Sequence, residues 1–98
     1  MKNIYIFCQP NTFLDDGKCC YGALRATFEI ANYLKNTNLY NVFLLAESVS
    51  KNDFFGIPCG PESSYDQIRA FSQYETKAVI GISRGDCLRE GDFNIAVS

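Results

Sequence analysis

The side chains best suited to chemistry fall in two short polar segments of the chain. The first is DDGKCC, residues 15–20, and the second is RGDC, residues 84–87. Paired carboxylates can exchange protons, a lysine or an arginine can hold a phosphate or carboxylate, and a thiol at a helix start gains reactivity. Neither segment completes a catalytic motif, so together they predict where a site lies more firmly than what it does.

Gly17, Lys18 and Gly22 form the segment most similar to a phosphate-binding loop. The dinucleotide fingerprint needs G-x-G-x-x-G, and the sequence here reads GKCCYG. The Walker pattern places Ser or Thr after its lysine, where this chain has Cys19. Phosphate binding at this helix start is therefore one hypothesis, and an ordinary tight turn is the favoured alternative.

The cysteines and carboxylates have simpler interpretations as well. The chain has five cysteines, no histidine and no C-x-x-C pair, so free buried thiols are favoured over a zinc or redox cluster, and we expect no metal or cofactor. A reactive thiol at Cys19 or Cys20 stays a possibility. Asp15 and Asp16 are favoured as a solvated helix start, with Asp16 as N-cap, over a catalytic pair.

Arg84 and Asp86 belong to an Arg-Gly-Asp triplet in the second polar segment. An arginine in such a loop can pair with a ligand carboxylate or phosphate, and a surface ion pair is the plainer alternative. Gly17, Lys18, Gly22, Arg84 and Asp86 are accordingly the predicted ligand-binding residues, and no catalytic residue is predicted.

A strand–helix alternation positions these segments. Apolar runs predict strands at residues 2–8, 41–47, 77–83 and 93–97, and helical periodicity predicts helices at residues 19–35 and 64–74. The resulting order, β-α-β-α-β-β, predicts an α/β fold: a small three-layer, Rossmann-like parallel sheet. The last strand is either a hairpin partner or joined by a one-turn helix. Loops 9–18, 48–61 and 84–92 then leave the carboxyl ends of the strands, where open parallel sheets bind ligands.

The first predicted helix has the clearest pattern in the chain. Leu24, Phe28, Ala31 and Leu34 form one apolar stripe that should pack on the sheet, and Asn36 and Asn38 suit the helix exit. In the second helix, Ser64 and Gln67 have capping-box spacing, and the apolar face is predicted to be Tyr65, Ile68 and Phe71.

Composition excludes several classes of function. A formal net charge of −2 with nine scattered basic residues argues against nucleic-acid binding. No apolar run approaches the roughly 20 residues of a membrane span, and no secretion signal is apparent, so a single cytoplasmic domain of residues 1–98 is expected. A strand at residues 93–97 would leave a sheet edge that recruits a second copy, which predicts a homo-oligomer.

Several segments together resemble a known family. The strand KNIYIFC, the helix YGALRATFEIANYL, the strand NVFLLAE and the tail GDFNIAVS are similar to the N-terminal half of two-domain glycosyltransferases of the GT-B fold, family 4 and its rhamnosyltransferase-like members. Gly22, Arg25, Ala31 and Leu34 match the pattern of that half, whereas its adjacent glycine pair after the first strand is missing.

The resemblance implies an acceptor-side domain in which Gly17, Gly22 and Arg84 border the cleft between two domains. It implies that a sugar acceptor or nucleotide sugar is engaged only with a second domain, so that the chain alone transfers no sugar. The alternative from the residues is a small, non-enzymatic module that binds a nucleotide or a protein partner.

Overall fold

The computed structural model describes residues 1–9, 13–14, 22–82 and 94–97, and for residues 22–23 and 94–97 it describes the backbone only. Within these ranges the chain forms strands, two α-helices and one 3₁₀ turn. Their bounds are β1 Lys2–Phe7, β2 Phe13–Leu14, α1 Gly22–Asn36, β3 Tyr40–Ala46, β4 Ser48–Val49, β5 Asp53–Phe54, β6 Ile57–Pro61, the 3₁₀ turn Glu62–Ser64, α2 Tyr65–Phe71, β7 Thr76–Ile82 and β8 Asn94–Val97.

The main sheet is mixed but mostly parallel. Its order is β5-β6-β3-β1-β7-β8, and all neighbours pair in parallel except β5 and β6, which form an antiparallel hairpin. The α/β class and a mostly parallel sheet are therefore confirmed. Because β8 pairs with β7 in parallel, the hairpin alternative for the last strand is wrong.

The predicted element order is incomplete between residues 48 and 61. The sequence predicts a loop there, and instead the segment contains β4, β5 and β6. The sequence does not predict a strand at β6 because the segment contains Pro58, Gly60 and Pro61, and proline and glycine normally interrupt strands. They are tolerated here because β6 lies next to the edge and only the two residues of β5 pair on its outer side.

The apolar stripe of α1 packs as predicted. Ala31 is fully buried, and Leu24, Phe28 and Leu34 pack against the core, while Arg25 and Glu29 face solvent 3.4 Å apart. The helix ends as its asparagines suggest: Asn38 adopts φ 60°, and its N–H donates to the carbonyl of Lys35 at 3.1 Å. A left-handed residue after the last turn satisfies carbonyls that the helix leaves unpaired.

Two predictions for the second helix are wrong. Ser64 is the N-cap of α2, but its hydroxyl makes no capping hydrogen bond, because it ends a 3₁₀ turn and its ψ of 3° is not the extended geometry that a capping box needs. Phe71 does not face the core and is 88% exposed. It is the last residue of α2, which ends three residues earlier than predicted, whereas Tyr65 is buried and Ile68 packs on the sheet.

Side chains of the strands alternate between the two faces of the sheet, so each face has its own apolar core. The face under α1 carries the larger cluster, which includes Ile4, Ile6, Leu44 and Ile80. The face under α2 carries a smaller, more aromatic cluster of Tyr5, Phe7, Leu45, Tyr65 and Val79. No helix in the described ranges has the length and apolar character needed to cross a lipid bilayer.

Candidate functional site

The carboxyl ends of the parallel strands lie together at one end of the sheet, which we call the carboxyl edge. The strands that end here are β6, β3, β1, β7 and β8, with last residues Pro61, Ala46, Phe7, Ile82 and Val97. The chain proceeds from β1 outward to β3 and β6, then returns to the other side of β1 as β7. The direction of winding thus reverses between β1 and β7.

A second, two-stranded sheet ties two of the predicted loops together at the carboxyl edge. β2, which follows β1, pairs in parallel with β4, which follows β3. Ser50 reinforces this contact, because its N–H and its hydroxyl both donate to the carbonyl of Leu14, at 3.0 and 3.2 Å. Leu14 is 2% exposed and belongs to the core under α1, so it anchors the segment after β1 onto the sheet.

Most of the predicted ligand-binding residues fall outside the described residues. Gly17 and Lys18 lie in the sequence between β2 and α1, and Arg84 and Asp86 lie between β7 and β8. Gly22 is the first residue of α1. The predictions for Asp15, Asp16, Cys19, Cys20 and Cys87 also fall outside the described ranges.

The two described cysteines are buried thiols, as predicted for them. Cys8 follows β1 and Cys59 lies in β6, and both belong to the core under α1. The thiol of Cys59 lies 3.3 Å from the carbonyl oxygen of Lys51 and donates to it. Among the side chains that the structure describes, no three cysteines or carboxylates are grouped closely enough to hold a metal ion.

The opposite end of the sheet contains a groove that the sequence did not suggest. It has a volume of about 720 Å³, which lies within the range of small-molecule and cofactor sites. We call it the amino-edge groove. Among the described residues, its lining combines carboxamides, aromatic rings and a single charged side chain, and it consists of Met1, Asn3, Lys35, Asn38, Tyr40, Asn41, Val42, Phe43, Gly56, Pro58, Phe71, Ser72, Gln73 and Tyr74.

Asn3 organises the floor of this groove. It is 1% exposed, and its amide nitrogen donates to the hydroxyl of Tyr5 at 3.0 Å and to that of Ser72 at 2.6 Å. Its amide oxygen accepts from the side chain of Asn41 at 3.2 Å. Burying this amide costs little free energy, because its nitrogen and its oxygen both have hydrogen-bond partners. Through these bonds, one side chain joins β1, β3 and the segment after α2.

An aromatic cluster supports that floor on the α2 face. The Tyr65 ring meets those of Tyr5 and Phe7 edge to face, with centroids 5.2 and 4.9 Å apart. Arg69 donates to the Tyr65 hydroxyl at 2.8 Å, so the buried phenol is satisfied. Edge-to-face rings add to the energy of burial, and they hold Tyr5 where its hydroxyl can accept from Asn3.

The β5–β6 hairpin forms one wall of the groove and is held against α1. Its two turn residues, Phe55 and Gly56, have positive φ values of 51° and 84°. A bulky residue rarely adopts this conformation, and here the Phe55 ring packs on Phe28 and Phe54, with centroids 5.6 and 4.9 Å away. The ammonium of Lys35 donates to the carbonyl of Gly56 at 2.9 Å, which completes the attachment.

One sequence signal could have revealed the groove. Asn3 and Asn41 are polar residues near the start of two mostly apolar strands, and they stand opposite each other in the parallel register. Aligned polar residues in neighbouring buried strands indicate a shared hydrogen-bond network. The remaining lining residues come from segments that are far apart in the sequence.

Comparison of the chain with models of protein families, with curated proteins and with solved structures gives no significant match.

Proposed function

We propose that this chain is a Rossmann-like ligand-binding domain that holds a small molecule at the carboxyl edge, between β1 and β7. The observation that supports this proposal is the strand order. In open parallel sheets the loops leaving two neighbouring strands diverge where the winding reverses, and the crevice between them receives the ligand. Here that point lies between β1 and β7.

The sequence near this point carries the chemistry for an anionic ligand. The segment after β1 contains Gly17 and Lys18, and the segment after β7 contains Arg84 and Asp86. A lysine and an arginine on the two sides of the crevice suit a phosphate group, and an aspartate suits a ribose or sugar hydroxyl. The pairing of β2 with β4 adds support, since it draws the loops after β1 and β3 together at this edge.

The first candidate for the physiological role is the acceptor-side half of a sugar-transferring enzyme. It rests on the similarity of the first strand, α1 and β3 to GT-B glycosyltransferases. In this role the chain binds a sugar acceptor, and it transfers a sugar only together with a second, donor-binding domain.

The second candidate is a non-enzymatic module that binds a nucleotide. The strand order favours it, because dinucleotide-binding folds also reverse their direction of winding beside the first strand. The two candidates share a site and differ in its ligand, which is a sugar acceptor in the first and a nucleotide in the second.

A thermal-shift experiment tests the shared site. UDP-glucose, ATP and free monosaccharides are added separately to the purified chain at increasing concentration. A ligand that binds only the folded state raises the melting temperature. At a free ligand concentration of about 100 times Kd, such binding stabilises a protein by about 2.7 kcal/mol. The nucleotide-binding module predicts a rise with ATP or UDP-glucose, the acceptor-side half predicts a rise with a monosaccharide, and neither predicts sugar transfer from UDP-glucose by the chain alone.

Matched variants locate the effect. Lys18→Ala and Arg84→Ala should abolish most of the thermal shift, because each removes one cation from the proposed crevice. Lys77→Ala and Lys2→Ala are the controls, since both side chains are exposed and lie near the amino ends of β7 and β1, away from the carboxyl edge. Equal losses of the thermal shift in the test and control variants would contradict the site. Robust sugar transfer by the isolated chain would contradict the half-enzyme role.

A further inference from the structure

The amino-edge groove has two chemically different ends. At the α1 end its lining is polar: Lys35 lies in the last turn of α1, and Asn38 follows that helix. At the α2 end its lining is aromatic: Phe43 packs against the core under α2, Phe71 is the last residue of that helix, and Tyr74 follows it. A ligand that fills the groove therefore meets a hydrogen-bonding surface at one end and aromatic rings at the other.

The α1 end suits a single negative charge. Lys35 is the one charged residue among the described side chains that line the groove, and no described carboxylate lines it. One of the three ammonium N–H groups of Lys35 donates to the carbonyl of Gly56 at 2.9 Å, so two remain for a ligand. Asn38 lies at the same helix end, because its backbone N–H donates to the carbonyl of Lys35 at 3.1 Å. An ammonium and a carboxamide placed in this way can both donate to the oxygens of a carboxylate.

The α2 end suits an aromatic ring. Phe71 is 88% exposed and Tyr74 is 43% exposed, and both line the groove beside the half-buried Phe43. Exposed apolar side chains that are grouped in this way mark ligand-binding grooves and interaction sites. The floor of the groove is already ordered, since the nitrogen and the oxygen of the Asn3 carboxamide are both hydrogen-bonded. A ring can therefore enter without rearrangement of the floor.

We propose that the amino-edge groove binds a small aromatic carboxylate. Its carboxylate would pair with Lys35 and Asn38, and its ring would pack against Phe43, Phe71 and Tyr74. The groove volume of about 720 Å³ admits a molecule of this size. A phosphate monoester is less suited, because it carries nearly two negative charges at neutral pH and the described lining offers one cationic side chain. This site lies at the opposite end of the sheet from the proposed carboxyl-edge site and does not depend on it.

An NMR titration tests the proposal with phenylpropanoate, phenylpropanamide and phenylpropylamine, which share a ring and a chain length and differ in charge. With phenylpropanoate, we expect the amide signals of Asn41 and Gln73 in the groove to move, while those of Cys8 and Glu47 at the carboxyl edge stay in place. Phenylpropanamide should bind about threefold more weakly, and phenylpropylamine more weakly still, because an exposed ion pair contributes little and a like charge opposes binding. Propanoate, which lacks the ring, should bind about tenfold more weakly than phenylpropanoate.

A matched pair of lysine variants shows whether Lys35 recognises the charge. In Lys35→Met the preference for phenylpropanoate over phenylpropanamide should disappear, since the cation is removed and the apolar stem is kept. Lys77→Met should retain the preference, because Lys77 is exposed near the amino end of β7 and does not line the groove. A loosened groove wall would weaken both compounds alike, so the ratio of the two affinities separates charge recognition from a purely structural role of Lys35.

A pair of aromatic variants tests the α2 end. Phe71→Ala should weaken phenylpropanoate binding about tenfold, because a ring contact is lost. Tyr33→Ala should leave binding unchanged, since Tyr33 is an exposed aromatic residue of α1 that does not line the groove. Neither variant should unfold the protein, because both side chains are largely exposed. Equal affinities of the unaltered protein for phenylpropanoate and phenylpropylamine, a charge preference that survives in Lys35→Met, or no movement of the groove signals at millimolar phenylpropanoate would each overturn the proposal.

Discussion

The two ends of the sheet are built in different ways. At the amino edge, side chains of the strands themselves determine the shape of the groove, since Asn3 in β1 bonds to Tyr5, Asn41 and Ser72. At the carboxyl edge, the surface is made by the segments that follow the strands, and the described contact that orders them is the pairing of β2 with β4. The amino edge is thus part of the core, whereas the carboxyl edge is attached to it.

This difference bears on where function is expected. Loops carried by a rigid scaffold can change their residues without disturbing the core, which is why they commonly hold binding residues. A groove built from core strands is constrained by folding, but its shape is fixed before any ligand arrives. We therefore expect substitutions at the carboxyl edge to alter ligand binding, and substitutions on the floor of the amino-edge groove to alter stability as well.

The largest effect is expected where the carboxyl edge is anchored to the core. Leu14→Ala should lower the free energy of unfolding by about 3 kcal/mol, because it removes a fully buried side chain and leaves a cavity. Urea denaturation measures this loss. Leu39→Ala is the matched control, since Leu39 is exposed and should change stability by less than about 0.5 kcal/mol. Equal losses would mean that the segment after β1 is not anchored by Leu14.

A smaller loss is expected on the floor of the amino-edge groove. Asn3→Ala should cost about 2 kcal/mol, because the buried hydroxyl of Tyr5 loses its donor and Asn41 loses an acceptor. Asn52→Ala serves as the control, since the Asn52 side chain is exposed and its backbone carbonyl, which accepts from Cys59, is retained. If both variants unfolded at the same urea concentration, Asn3 would not organise this edge.

The smallest effect is expected at the wall of the groove. Lys35→Met keeps the apolar stem of the side chain but removes the hydrogen bond to the Gly56 carbonyl, and it should cost about 0.5 kcal/mol. Hydrogen exchange should become faster in the β5–β6 hairpin and remain unchanged in β1. Lys77→Met, at an exposed position of β7, should leave the hairpin unchanged. Equal hairpin exchange in the two variants would show that Lys35 does not hold the wall.

Much of the fold could be predicted from periodicity. The stripe Leu24, Phe28, Ala31 and Leu34 and the apolar runs of β1, β3 and β7 depend on local patterns that burial enforces, and they appear as expected. Strand β6 could not be predicted in the same way, because Pro58 and Gly60 follow no strand pattern and are accommodated only by their place near the sheet edge.

The amino-edge groove was harder still to predict. Phe71 belongs to the apolar period of α2, yet it is exposed because the helix ends there, and only the tertiary arrangement places it in one groove with Asn41 and Gly56. For the carboxyl edge, sequence predicted that the loops after β1 and β3 would lie close together, and the β2–β4 pairing agrees with this. The ligand roles of Gly17, Lys18, Gly22, Arg84 and Asp86 stay predictions.

The most direct test of the ligand site is an NMR titration of the whole chain with UDP-glucose, a compound that carries both a nucleotide and a sugar. If the ligand binds at the carboxyl edge, the amide signals of Cys8, Gln9 and Glu47 should move in proportion to saturation, while those of Asn41 and Gln73 at the other end of the sheet should stay in place. Movement confined to Asn41 and Gln73, or no movement at either end, would contradict binding between β1 and β7.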